Sequence, residues 1–122
     1  MKIFIIAASI FGFLGVALGA FGAHGLEGRV SERALQNWKT AVDYQMYHTA
    51  GLFAIGLLLH KFQASSLQAA GWFFIAGIII FSGSLYVLSL SGIKILGAIT
   101  PIGGVSFLIG WFLVGYFALK AL

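Results

Sequence analysis

The side chains of this sequence that could do chemistry are three histidines, and two of them have informative neighbours. His48 lies within WKTAVDYQMYHTA, with Gln45 about one helical turn before it. His24 lies within GAFGAHGL, at the end of a long apolar run. Imidazole groups relay protons, ligate metals and form hydrogen bonds, and an ionisable residue inside a membrane is a functional hypothesis by default. The elements around these residues must therefore decide which of these uses applies.

The spacing around His48 predicts a shared helix face. At 100° per residue, Gln45 lies about 20° around the helix from Trp38, and His48 lies about 80° from it. Trp38, Gln45 and His48 are therefore predicted to face a helix bundle, and Tyr44 lies one turn before His48. His24 ends its apolar segment where the next connection begins, and Gly25 and Gly28 permit a tight turn there. We therefore expect the turn at Gly25 to bring the chain back and His24 to converge on this face. We interpret these five residues as one polar cluster.

Two interpretations of the polar cluster remain open. A glutamine and a histidine inside an apolar helix are costly unless they are hydrogen bonded, so a neutral His48 that donates to a carbonyl would pin two helices together. His24, at the end of a span, would then simply meet water. The alternative is an oligomeric channel or transporter that uses the His48 and Gln45 site. The residues from Pro101 to Gly104 would suit it, because broken helices mark transport sites.

The composition indicates a protein that is solvated by lipid. Of the 122 residues, 61% are apolar and only 8% are charged, against about 25% charged residues in an ordinary soluble domain. The seven Lys and Arg residues are scattered, so the net charge of +4 forms no basic face for nucleic acid. We therefore predict membrane lipid as a partner and exclude nucleic acid.

No motif in the sequence predicts a catalytic or cofactor site. The chain has no Cys, and it contains no HExxH zinc motif, Walker loop or GxGxxG dinucleotide motif. The three histidines lie in three separate places and would ligate a metal only if the fold gathered them. We predict no enzymatic activity, no metal and no cofactor.

Four apolar segments predict four transmembrane helices in an antiparallel bundle, within a single integral membrane domain of residues 1–122. Each segment has at least 18 residues, and a helix needs about 20 to cross a hydrocarbon core of about 30 Å. The first segment also resembles a signal peptide, with Lys2 before the apolar run and small residues near Gly19; we predict that it is a retained helix. The predicted spans are about 3–22, 42–59, 69–90 and 96–119.

The connection between the first two spans is polar and is predicted to be a partly interfacial helix. Ser31 is a predicted N-cap, and the sequence after it has no Gly or Pro before Gly51. A helix from about 32 to 60 would be about 43 Å long, so its first turns would lie at the headgroups. Six of the charged residues fall here: Glu27, Arg29, Glu32, Arg33, Lys39 and Asp43.

Glycines form a stripe along the first predicted helix. Gly12, Gly15, Gly19 and Gly22 fall within about 80° of one another around the axis, and Gly15 and Gly19 form a GxxxG pair. Such a face lets two helix backbones approach closely. We favour packing within the chain, and the alternative is a dimer seam. A separate backbone feature is Pro101, which either occupies the first turn of the fourth helix or kinks it.

Four ordered stretches resemble a known family: GAFGAHGL, WKTAVDYQMYHTA, GSLY and PIGG. The chain resembles the small membrane proteins of the domain of unknown function 423 family, which are similar to transmembrane protein 256. The resemblance covers essentially the whole chain and implies a four-span inner-membrane protein of bacterial type without an established activity. The family's signature positions match Gly22, His24, Gly25, Trp38, Thr40, Ala41, Tyr44, Gln45, His48 and Pro101.

Together these observations predict a multi-pass protein of the bacterial inner (plasma) membrane. We expect a structural or accessory protein, or one that binds lipid or a small ligand, and its expected partners are a second copy or another membrane protein. One predicted end of the bundle carries four basic residues and the other carries three. Because the more basic side of a membrane protein usually faces the cytoplasm, this count favours both termini outside the cytoplasm. A transporter should have a polar cavity that reaches the middle of the membrane, whereas a structural protein should have a filled bundle.

Overall fold

The computed structural model describes residues 2–122 and confirms the predicted fold class, an all-helical bundle of four helices. Short connections join the helices at residues 27–31, 60–64 and 92–95. The helices are α1 (Ile3–Leu26), α2 (Glu32–Leu59), α3 (Ser65–Ser91) and α4 (Leu96–Ala121).

Consecutive helices pack antiparallel, as short connections require. Gly22 near the end of α1 lies against Trp38 near the beginning of α2. In the α3–α4 pair, the Ser106 hydroxyl donates to the Phe73 carbonyl oxygen at 2.7 Å, and Gly103 lies against the backbone of Phe81. The bundle therefore runs up and down.

The two ends of the bundle differ in their connections. Residues 27–31 and 92–95 lie together at one end, which we call the connection end. There Gly28 and Gly92 have φ angles of 79° and 71°, a backbone conformation that glycine adopts without steric cost. The opposite end, the terminal end, holds residues 60–64 and the described ends of the chain.

Three of the four helices, α1, α3 and α4, are long and apolar enough to cross a membrane. The second predicted span, about 42–59, lies in the second half of α2. This helix has 28 residues and is long enough, but polar side chains between Asp43 and Thr49 make it less apolar than the other three. The first turns of α2 form the predicted polar connection. Ser31 caps them, because its hydroxyl oxygen accepts from the Ala34 amide at 3.1 Å.

An apolar core fills the bundle toward the terminal end. Phe4, Leu52, Leu67 and Phe74 are fully buried and come from three different helices. Small residues admit the large ones: a Cβ on Gly71 would lie 2.5 Å from the Phe4 ring, and one on Gly110 would lie 2.5 Å from the Phe74 ring. The remaining buried members of the core are Ala8, Ile55, Leu59, Ala70, Ile78, Phe107 and Phe117.

The glycine stripe of α1 faces α2. A Cβ on Gly22 would lie 2.5 Å from Trp38 Cζ2, and one on Gly15 would overlap the Met46 sulfur. The other two positions leave more room. An added Cβ would lie 3.0 Å from the Val42 side chain at Gly19 and 3.6 Å from the Thr49 side chain at Gly12. The stripe thus lies at a packing surface within the chain.

Two π-helical turns, which the sequence did not lead us to expect, interrupt α1 and α3. They span Leu18–Gly22 and Ile78–Ser82. A π turn shifts the backbone hydrogen bonds by one residue and often occurs at functional positions. Here both turns contact α2: the Leu18 carbonyl oxygen accepts from the Trp38 indole at 3.0 Å, and the Ser82 hydroxyl donates to the Ala41 carbonyl oxygen at 2.7 Å.

Pro101 lies in the second turn of α4, and the helix continues through it to Ala121. Its ring nitrogen cannot donate to the carbonyl one turn earlier. The neighbouring Thr100 hydroxyl bonds to the Leu96 carbonyl oxygen at 3.1 Å and lies 2.6 Å from the Ser84 hydroxyl oxygen. The Ser84 contact ties the start of α4 to α3, and the helix is not interrupted at the proline.

Candidate functional site

The helix α2 carries the candidate site on the face that it turns to the other helices. Trp38, Gln45 and His48 are buried, with 6%, 3% and 5% of their surfaces exposed. Tyr44 is 39% exposed and Tyr47 is 60% exposed, so they lie nearer the outside. Trp38, Gln45 and His48 share a face because an α-helix has 3.6 residues per turn.

Gln45 joins three helices through its side-chain amide. Its Nε2 donates to the Phe11 carbonyl oxygen of α1 at 2.8 Å. Its Oε1 accepts from the Tyr86 hydroxyl of α3 at 2.7 Å. Both ends of the amide therefore have protein partners, which removes most of the cost of burying it.

His48 has a protein partner on each ring nitrogen. Nδ1 lies 2.7 Å from the Tyr44 carbonyl oxygen, and Nε2 lies 3.0 Å from the Trp111 indole nitrogen of α4. A carbonyl oxygen only accepts and an indole N–H only donates. Nδ1 must therefore carry the proton and Nε2 the lone pair, so the bonds define a neutral imidazole with one tautomer.

Aromatic rings enclose the His48 imidazole. Its ring stacks on Phe107 with centroids 3.5 Å apart and an interplanar angle of 7°. Phe74 meets it edge-on at 5.3 Å. Phe107 covers one face of the ring and hydrogen bonds engage both ring nitrogens, so the imidazole is held in one orientation.

Trp38 and Tyr44 extend the polar cluster toward the connection end. The Trp38 ring packs edge-on against Tyr86 with centroids 4.7 Å apart, while its indole N–H bonds to the π turn of α1. Tyr44 stacks on Phe81 of α3 at 4.6 Å. Four of the five predicted cluster residues therefore lie along one side of α2 and contact α1, α3 and α4.

The structure does not bring His24 to Gln45 and His48. His24 is exposed and lies in the last turn of α1. The α1–α2 register places it beside the residues just before Trp38, about 18 Å along the axis from His48. The physical reason is that Gly25 is helical and does not turn the chain as we expected. The turn comes later, at Gly28.

Tyr86 and Trp111 supply side-chain partners to the cluster, and neither was predicted from the sequence. Tyr86 belongs to GSLY, one of the stretches that carry the family resemblance, so a signal for it was present. Trp111 has no such signal, because an aromatic residue in an apolar helix is usually a packing or interface residue.

The buried polar groups of the site form hydrogen bonds to other groups of the protein. Within residues 2–122, every buried side-chain nitrogen and oxygen has a hydrogen-bond partner, and no group of three or more His, Cys, Asp or Glu residues could hold a metal. Three cavities of about 260, 250 and 530 Å³ lie near partly exposed residues of the bundle. None of them is lined by Gln45 or His48. In this arrangement the cluster connects helices.

Comparison with known proteins places the chain among bacterial membrane proteins. It is 53% identical to the UPF0382 membrane protein YwdK of Bacillus subtilis over 123 residues, which cover 100% of both chains. It is 49% identical to a UPF0382 membrane protein of Staphylococcus epidermidis, with 98% of each chain covered, and 48% identical to one of Staphylococcus haemolyticus, with 93% covered. No solved structure matches it. The family described as "Protein of unknown function (DUF423)" matches residues 18–104. The chain therefore belongs to the DUF423 family of membrane proteins.

Proposed function

We propose that the protein is a multi-pass protein of the bacterial plasma membrane in which all four helices cross the bilayer. Its role is structural or accessory: it presents its surfaces to lipid, to a second copy or to another membrane protein. The observation that carries this proposal is that the polar groups of Gln45 and His48 are hydrogen bonded within the protein. Both ring nitrogens of His48 and both ends of the Gln45 amide are held by the protein itself.

The outer surface supports a lipid environment. Large apolar side chains point away from the bundle, among them Phe13 at 76%, Phe112 at 72% and Leu108 at 70% exposure. Large exposed apolar patches are rare on monomeric soluble proteins and mark surfaces that contact a membrane or a partner. Lipid would cover these side chains on α1 and α4 without any protein partner.

A crossing by α2 is consistent with its polar residues because the buried ones are paired. An unpaired polar group in hydrocarbon costs several kcal/mol, but Gln45 and His48 spend their hydrogen bonds inside the bundle. The Thr49 hydroxyl likewise donates to the Gln45 carbonyl oxygen at 2.6 Å. At about 42 Å, α2 is long enough to cross and to leave its first turns at the headgroups.

Substitutions at His48 separate a structural role from proton or ligand transfer. His48→Ala removes the acceptor of Trp111 and leaves a cavity beside Phe107, so we expect the free energy of unfolding to fall by about 2–4 kcal/mol. His48→Gln keeps an amide donor and acceptor and should lose less. Unfolding is measured in detergent micelles, with the exposed Tyr47→Phe as the control.

A proton or ligand pathway through His48 predicts a different pattern. Both His48 variants would then accumulate and unfold like the parent protein. They would differ from it in proton flux, measured across liposomes that contain the protein. That combination of results would replace the structural proposal with the channel or transporter alternative.

A further inference from the structure

A cavity of about 530 Å³ lies at the connection end, away from the polar cluster. One wall comes from the beginning of α2, and the other comes from the end of α3 and the turn that leads to α4. The side chains and backbone that form it include Ser31, Arg33, Asn37, Leu88, Gly92 and Lys94.

The charges of the cavity have one sign. Arg33 and Lys94 approach it from two different segments of the chain, and none of its lining residues within the described chain is acidic. Glu32 is the neighbour of Arg33, but adjacent helical residues point about 100° apart, and Glu32 does not line the cavity. Two cations without a carboxylate between them favour an anionic ligand.

The polar groups of the cavity are available for a ligand. Among the side-chain hydrogen bonds of residues 2–122, none involves Arg33, Asn37 or Lys94. An arginine fork and a lysine ammonium are the side chains that proteins use for phosphate. Asn37 is half-buried and adds an amide that can donate to a phosphate or hydroxyl oxygen.

The position of the cavity matches the depth of a phospholipid headgroup. Ser31 immediately precedes α2 and Gly92 immediately follows α3, so these residues mark the ends of two helices. Leu88 lies one turn further into α3 and supplies an apolar wall on the side of the bilayer. A ligand with a charged head and an apolar tail would meet both kinds of surface.

We propose that this cavity binds the phosphate group of an anionic membrane phospholipid through Arg33, Lys94 and Asn37. The inference rests on the proposed placement of the helices across the membrane, which sets the cavity at headgroup level. A soluble phosphate ester shares the same head chemistry. The apolar wall at Leu88 makes the lipid the assigned ligand.

The test uses the full chain in a nonionic detergent, and native mass spectrometry counts the bound lipid. Phosphatidylglycerol is the anionic probe, and zwitterionic phosphatidylcholine is the comparison. We expect phosphatidylglycerol to bind at least about tenfold more tightly. The double variant Arg33→Gln/Lys94→Gln should lose that preference. Asn37→Ala should weaken phosphatidylglycerol binding several-fold without a change of charge.

The matched control is Arg29→Gln/Lys39→Gln, which removes the same charge from the connection end outside the cavity. It should keep the preference for phosphatidylglycerol. Equal losses in both double variants would mean that only diffuse surface charge attracts the lipid, and the proposed site would be refuted. Absence of any preference in the parent protein would refute it as well.

Two further measurements separate the sources of failure. Glycerol phosphate is added as a competitor: displacement of the lipid at millimolar concentration would assign the site to a soluble phosphate ester, and no displacement supports the lipid. Thermal unfolding without added lipid shows whether each variant folds, and Asn37→Ala still tests the site if the double variant does not. Cysteine labelling measures the crossing of α2 independently, and the His48 variants test the structural role, so both parts of the proposed function are decided whatever the lipid result.

Discussion

At the residue scale, Gln45 and His48 differ in which helices they connect. Gln45 bridges α1 and α3 from its place on α2, whereas His48 connects α2 to α4. These two side chains, about one turn apart on one helix, thus reach every other helix of the bundle. Hydrogen bonds of this kind contribute about 0.6 kcal/mol each on average inside membrane proteins, and up to about 1.7 kcal/mol.

The Gln45 bridge gives a direct test at this scale. Gln45→Leu keeps a similar size but leaves the Tyr86 hydroxyl and the Phe11 carbonyl oxygen without their partner. We expect the free energy of unfolding to fall by about 1–3 kcal/mol, measured by denaturant unfolding in micelles. Tyr86→Phe should lower the free energy of unfolding less, because the hydrogen bond from the Gln45 side-chain amide to the Phe11 carbonyl oxygen remains.

The combination of the two changes supplies the control. Because Gln45 and Tyr86 share one hydrogen bond, the double variant should lose less stability than the sum of the single variants. Strict additivity would show that the bond contributes nothing to folding. A loss at Gln45→Leu no larger than that of the exposed Tyr47→Phe would contradict the bridge itself.

The residue scale also shows the limit of sequence reasoning about the site. The shared face of Trp38, Gln45 and His48 follows from 100° per residue within one helix. Their partners do not, because Phe11, Tyr86 and Trp111 lie 34, 41 and 63 residues away from the groups that they contact. Those pairings depend on the register between helices, which the periodicity of one helix does not determine.

At the element scale, the α1–α2 pair depends on glycine. The stripe brings the backbone of α1 close enough for Trp38 and Gln45 to reach carbonyl oxygens on it. A carbonyl that already accepts an intrahelical bond has a second lone pair, so α1 need not unwind at Phe11 to accept from Gln45. Close packing and the polar contacts are therefore two aspects of one interface.

We predict that Gly15→Leu separates this pair. The added side chain would overlap Met46 and lie beside the Gln45 amide, so the free energy of unfolding should fall by about 1–3 kcal/mol, as for overpacked cores. Thermal unfolding in micelles measures the loss. The control is Phe13→Leu on the same helix, at a side chain that is 76% exposed. Equal losses at the two positions would argue against a close-packed face.

Element boundaries were harder to predict than element types. The four helices follow from four apolar runs and from the Ser31 cap. Gly25 led us to expect a turn at the end of α1, but glycine permits a turn without requiring one, and the helix continues to Leu26. The exposed place of His24 follows from that continuation. The π turns leave no mark in the periodicity, because each shifts the register by a single residue.

At the scale of the whole molecule, the two halves of the bundle differ in composition. The terminal half is an apolar core built around Phe4, Phe74 and Leu52. The half toward the connection end carries Trp38, the basic cavity and most of the charged residues, and Gln45 and His48 lie near the middle of the bundle. The proposed phospholipid site therefore lies in that second half.

The membrane crossing of α2 is the central claim, since α1, α3 and α4 already have the length and composition of spans. Single cysteines test it cleanly, because the chain has none of its own. The three single variants are Glu32→Cys, Phe53→Cys and Lys61→Cys. A membrane-impermeant maleimide is applied to one side of the membrane at a time, and labelling of each cysteine is measured. The account predicts that position 32 labels from one side, position 61 from the opposite side, and position 53 from neither. Labelling of positions 32 and 61 from the same side would contradict it.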